Sequence, residues 1–152
     1  MKNILSYNRR YAICTTGYLE HIDDNDCSVR AIANGMQIPY DQAFQLLKKF
    51  GRVDGCGSHT RNIHRALMTF PNVSILGAFG SKGRYQHEYI NEPKESVKLY
   101  KGMSVKTFAT NVKRGTYIVL TTHHALVIRD GEIIGNKYEQ LGAHIQLVYQ
   151  VN

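Results

Sequence analysis

The chain has 152 residues, 43% apolar and 20% charged, the balance of an ordinary globular domain, and one domain over residues 1–152 is expected. No apolar run approaches the roughly 20 residues that a membrane-spanning helix needs. Nineteen Lys and Arg against twelve Asp and Glu leave a net charge of +7, and the three cysteines, Cys14, Cys27 and Cys56, are odd in number and read as free thiols. The basic residues are scattered (Arg9-Arg10, Lys48-Lys49, Lys82 to Arg84, Lys113-Arg114), which ranks a nucleic-acid partner behind a solvated basic surface.

In chain order, residues 1–24 show no clear period. Their start, "MKNILSYNRRYAIC", lacks the apolar run of a secretory signal, so a cytoplasmic protein is expected. In "NDCSVRAIANGM" the residues Val29, Ile32, Ala33 and Met36 form one apolar stripe of a helix, with Asp26 as candidate N-cap and Cys27 in the first turn. Pro39 breaks that helix. Asp41 is placed to cap a second one over 42–50, burying Ala43, Leu46, Leu47 and Phe50. "GRVDGCGS" is a glycine-rich loop. A third helix is expected over 60–70, capped by Ser58, ended by Pro71, and burying Ile63, Ala66, Leu67 and Phe70.

"NVSILGAF" is a strand candidate, and 80–101 is a polar surface excursion. "MSVKTFATNVKRG" is a fourth helix, with Ser104 as cap, Val105, Phe108, Ala109 and Val112 on one face, and Gly115 as stop. The period then changes to two. "TYIVLTT", "HHALVIR", "EIIGNKY" and "HIQLVYQV" are strands, the middle two joined by an Asp130-Gly131 hairpin. Helices followed by an antiparallel meander give an α+β layout.

A cysteine in the first turn of a helix is a candidate nucleophile. The helix dipole and the unpaired N–H groups favour its thiolate, and the same N–H groups can hold a developing oxyanion. It then needs an imidazole as general base and acid, and His123 and His124 stand at the head of a later strand.

"NDCSVRAIANGMQIPYDQAFQLL", followed by "MSVKTFATNVKRGTYIVLTTHHALVIRDGEIIGN", resembles the small papain-like cysteine peptidase domains encoded by bacteriophages. Those share a D-C-x-x-R-A-[IL]-A helix, a tyrosine at the start of the next helix, a helix before G-x-[YF]-[IL]-V, and a histidine leading into an Asp-Gly hairpin. The likeness runs over residues 25–138 with a gap at 80–101. It implies a papain-like α+β fold with N-terminal helices packed on a C-terminal antiparallel sheet. It also implies no cofactor, and a Cys–His pair oriented by an Asp or Asn. The substrate would be an acyl group of a host or phage protein, met in the host cytoplasm.

The family histidine lies six residues before the turn aspartate, which selects His124. The orienting position four residues after the turn glycine is Gly135, a departure, with Asn136 next to it. A two-residue hairpin sets Ala125 opposite Asn136, so strand alternation pairs His123 with Asn136, whereas a bulge near Gly135 pairs His124 with it. Cys27, His124 and Asn136 are the first assignment, with His123 as alternative base. The family's oxyanion glutamine is missing. The Cys27 backbone N–H and Asn25 are the candidates in its place, with His21 also near.

"CGSHTRNIH" has half of a zinc spacing in Cys56, His59 and His64 but no fourth ligand nearby, and no metal is assigned. Two competing readings remain beside the thiol hydrolase (peptidase, deamidase or acyltransferase). One is a catalytically inactive papain-like fold that binds a host protein. The other, ranked last, is a basic nucleic-acid binder.

Overall fold

The apolar stripe that begins at Val29 winds as α1, Cys27–Met36, which is buried from Ser28 through Gly35. The structure, a computed structural model, describes residues 26–79, 99–100, 102–122, 124–134 and 141–152. Gln37 closes α1 in the left-handed conformation at φ 54°, returning its N–H to the Ala33 carbonyl.

Helix α2, Tyr40–Lys49, starts earlier than the sequence suggests. Pro39 is its cap residue, its carbonyl taking the Gln42 and Ala43 N–H groups, and Asp41 falls inside the first turn rather than capping it. Tyr40, Ala43, Phe44 and Leu47 are buried, while Leu46 and Phe50 are only partly so. Helix α3, Thr60–Leu67, is preceded by His59, not Ser58, at the cap position. It stops short of Phe70, because the Thr69 hydroxyl takes the Ala66 carbonyl at 2.6 Å and closes the last turn.

The strands are β1, Val73–Phe79; β2, Leu99–Tyr100; β3, Thr116–Thr121; β4, Ala125–Arg129; β5, Glu132–Ile134; and β6, Ile145–Val151. Helix α4, Val105–Asn111, precedes β3 and is capped by Ser104, whose hydroxyl accepts the Thr107 N–H. The six strands form one sheet in the order β2-β1-β6-β3-β4-β5. β2 lies parallel to β1 and the other neighbours are antiparallel. The simple meander expected from chain order therefore holds for β3, β4 and β5, while β6 crosses back to the middle, between β1 and β3.

Alternation divides the sheet into two apolar faces. Ile118, Leu120, Ala125, Val127, Leu147 and Tyr149 meet α1, α2 and α3. Val119, Leu126, Ile128, Ile133 and Val148 meet Val105 and Phe108 of α4. The α+β class is as expected, with α4 covering the second face. Among the described residues no helix is long and apolar enough to cross a membrane.

Two local features set the spacing of α1 over the sheet and the register of the β4–β5 hairpin. A Cβ on Gly35 would stand 2.6 Å from Ile118 Cγ1, so α1 packs on β3 closer than any side chain permits. At the β4–β5 hairpin both Asp130 and Gly131 have positive φ, 52° and 80°, the type I′ turn that matches strand twist. Asp130 Oδ1 also accepts the Gly115 N–H at 2.9 Å, tying the hairpin to the loop that enters β3.

Candidate active site

Asp26 stands at the cap position of α1, yet its carboxylate does not cap the helix. Oδ2 instead accepts Arg30 Nε at 2.9 Å and the Tyr40 hydroxyl at 2.7 Å, and the Arg30 guanidinium lies over the Tyr40 ring, 5.1 Å from its centroid. Asp26 and Arg30 are each only 2% exposed. The Arg30 of the motif is thus an ion-pair partner inside the protein rather than a solvated residue. The pair bolts the first turn of α1 to the first turn of α2, and with it the position of Cys27. Removing one partner of such a pair costs about 3–5 kcal/mol, because the other charge stays buried.

Cys27 opens into a cleft with room for about 220 Å³, shared by Ser28, Ser58, Thr60, Thr121 and His124. Its walls come from three places: the head of α1, the loop running into α3, and the turn joining β3 to β4. The Ser58 hydroxyl, expected at a helix cap, instead lies 2.8 Å from the Ser28 hydroxyl and holds the glycine-rich loop against α1. The turn is fixed through its backbone, since the His124 carbonyl accepts the Thr121 N–H at 2.8 Å and the Thr121 hydroxyl at 3.3 Å. This brings His124 to the cleft from the turn just ahead of β4.

Burial pushes the Cys27 thiol up from its ordinary value. Hydrogen bonds from the Ala125 and Ser28 N–H groups pull the other way, the Asp26 carboxylate adds to the rise, and Arg52 opposes it weakly. The net is upward. The thiolate expected from the helix N-terminus is therefore outweighed by desolvation, and the resting group at neutral pH is the thiol. An attack by this sulfur needs a proton acceptor in the cleft.

Of the residues singled out in the sequence, Cys27 and His124 come together here. Asn25, His123, Gly135, Asn136, His21 and Cys14 lie outside the described residues. The hairpin register that placed Ala125 opposite Asn136 holds as far as Val127 opposite Ile134. Sequence reasoning passed over Tyr40 and the two serines. The tyrosine belonged to the motif but carried no assigned role, and Ser58 had a local explanation as a helix cap.

The residues of "CGSHTRNIH" separate: Cys56 and His59 are exposed, whereas His64 is buried with Nδ1 3.0 Å from the Tyr149 hydroxyl. Among the described residues no group of three or more His, Cys, Asp or Glu side chains could hold a metal ion. No protein-family model, curated protein or solved structure matches the chain.

Proposed function

We propose that the protein is a papain-like thiol hydrolase of the bacteriophage type, acting on the amide, isopeptide or thioester carbonyl of a protein or peptide-like substrate. The observation that carries this reading is the meeting of Cys27 and His124 in one cleft, from segments far apart in the chain. In the reaction, His124 takes the Cys27 proton as the sulfur attacks the carbonyl carbon, and the carbonyl π electrons move to oxygen. The tetrahedral species collapses, and the leaving amine or thiol departs with the proton from the imidazolium. Water then cleaves the acyl-enzyme by the same route. Asn136 would orient the imidazole by accepting its ring N–H, and His123 is the alternative base. The Cys27 backbone N–H and Asn25 would serve the oxyanion. No cofactor is required by this scheme.

The test is the pH dependence of iodoacetamide labelling at Cys27 in the wild type, His124→Ala and His123→Ala, with exposed Cys56 as internal control. Labelling of Cys27 that falls by about tenfold or more in one histidine variant, while that of Cys56 stays unchanged, supports the pair and names its base. Cys27 labelling that no histidine variant changes overturns it. The upward shift of the thiol then favours the second reading, a binder of a host protein on the same fold.

A further inference from the structure

The family pattern asks for a side-chain donor to the reacting carbonyl oxygen, and the expected glutamine is missing. Of the hydroxyl side chains that line the cleft, those of Ser28 and Ser58 are hydrogen-bonded to each other. Ser28 follows Cys27 directly on α1 and is only 2% exposed. Its Oγ lies 2.8 Å from Ser58 Oγ, and both residues line the cleft. A serine hydroxyl carries one proton. One of the two protons lies between the oxygens, whichever is the donor. Among the described residues neither side chain makes another hydrogen bond, so the second O–H has no acceptor there and is available to whatever enters the cleft. Where Ser28 is the donor to Ser58, the spare O–H is that of half-buried Ser58 and faces the cleft. Where Ser58 is the donor, the spare O–H is that of nearly buried Ser28, which costs free energy unless a ligand completes it.

We infer that the Ser28–Ser58 hydroxyl pair, rather than Asn25, is the side-chain half of the oxyanion hole, donating its spare O–H to the acyl oxygen as Cys27 attacks. The assignment rests on the thiol-hydrolase reading and names a further catalytic group within it. The pair has a distinctive logic. Removing either hydroxyl frees the other from its mutual bond, so each single variant still has one donor to offer. The double variant has none.

The experiment compares two reagents on the full-length protein. A short peptide aldehyde, acetyl-glycyl-glycinal, adds reversibly: the Cys27 sulfur bonds to the aldehyde carbon, the thiol proton ends on the oxygen, and the hemithioacetal that forms holds a tetrahedral oxygen where the oxyanion of the reaction would stand. Iodoacetamide alkylates the same sulfur with loss of iodide and places no such oxygen. Aldehyde affinity is read as protection of Cys27 from iodoacetamide. Ser28→Ala and Ser58→Ala are each expected to weaken the aldehyde less than about threefold. The double variant is expected to weaken it by about tenfold or more, with alkylation in the absence of aldehyde unchanged, as for loss of an oxyanion donor.

Wild-type aldehyde affinity in the double variant overturns the assignment. So does a parallel loss in alkylation, which marks a purely structural role for the pair. Failure of the parent reading looks different: the wild type itself forms no aldehyde adduct, and no histidine variant changes the alkylation profile.

Discussion

Arg30 shows how little a residue's type says about its place. A charge three positions after Cys27 allows either a solvated residue or an ion-pair partner, and Arg30 is shut inside the protein because Asp26 and Tyr40 meet it there. Cys27 shows the reverse: its helical position promises a thiolate, and its burial withdraws that promise. A testable consequence follows for stability. Because the folded thiol holds its proton more tightly than the unfolded one, Cys27 contributes stability that is fully present below its ordinary value of 9.0. Above that, the unfolded chain ionises while the folded thiol does not, and the contribution is lost as pH rises through the folded value. Urea unfolding from pH 7 to 10.5 is expected to show a steeper alkaline decline for the wild type than for Cys27→Ala. Parallel profiles would contradict it, since the other alkaline groups are common to both.

At the scale of elements, most helices and strands were legible because their apolar periods are long and their breaks are chemical: Pro39, Ser104, Asp130-Gly131. The exception is β2, Leu99–Tyr100, which lies in the stretch 80–101 expected as a surface excursion and is too short to show a period, its pairing with β1 being decided by a distant segment. What failed was competition for a single side chain. Ser58 could cap α3 or bond Ser28, and only the approach of α1 decides for the latter. Gly35 is similar, since nothing local demands glycine in the last turn of α1. The demand comes from Ile118 on β3, too near for any Cβ. Gly35→Ala is expected to cost about 1–3 kcal/mol by overpacking. Ile118→Val, which removes Cδ1 from 2.7 Å, is expected to recover part of that cost in the Gly35→Ala background. A double-mutant cycle by urea unfolding checks it, and strictly additive effects would show that the contact is not the cause.

For the whole molecule, Cys27 and His124, which both line the cleft, were singled out from sequence, but the sheet that carries the cleft was not. Strand order depends on pairings between distant segments, and no local pattern in "HIQLVYQV" announces that β6 will sit between β1 and β3. That position sets the hierarchy of opening. Amides of β3 and β6, paired through Val119 and Val148 and packed on both faces, are expected to exchange only by global unfolding. Those of the sheet-edge strand β5 are expected to exchange by local opening. Native-state hydrogen exchange in graded urea checks this, and β5 protection equal to that of β6 would refute it. The central place of β6 also matters during translation. β6 is the last of the strands to leave the ribosome, roughly 3–13 s after β1 at about 5–20 residues per second. Throughout that interval β1 lacks its antiparallel partner, and the sheet beneath Cys27 lacks its middle. The nascent chain emerges sticky, a client for chaperones until its last strand arrives.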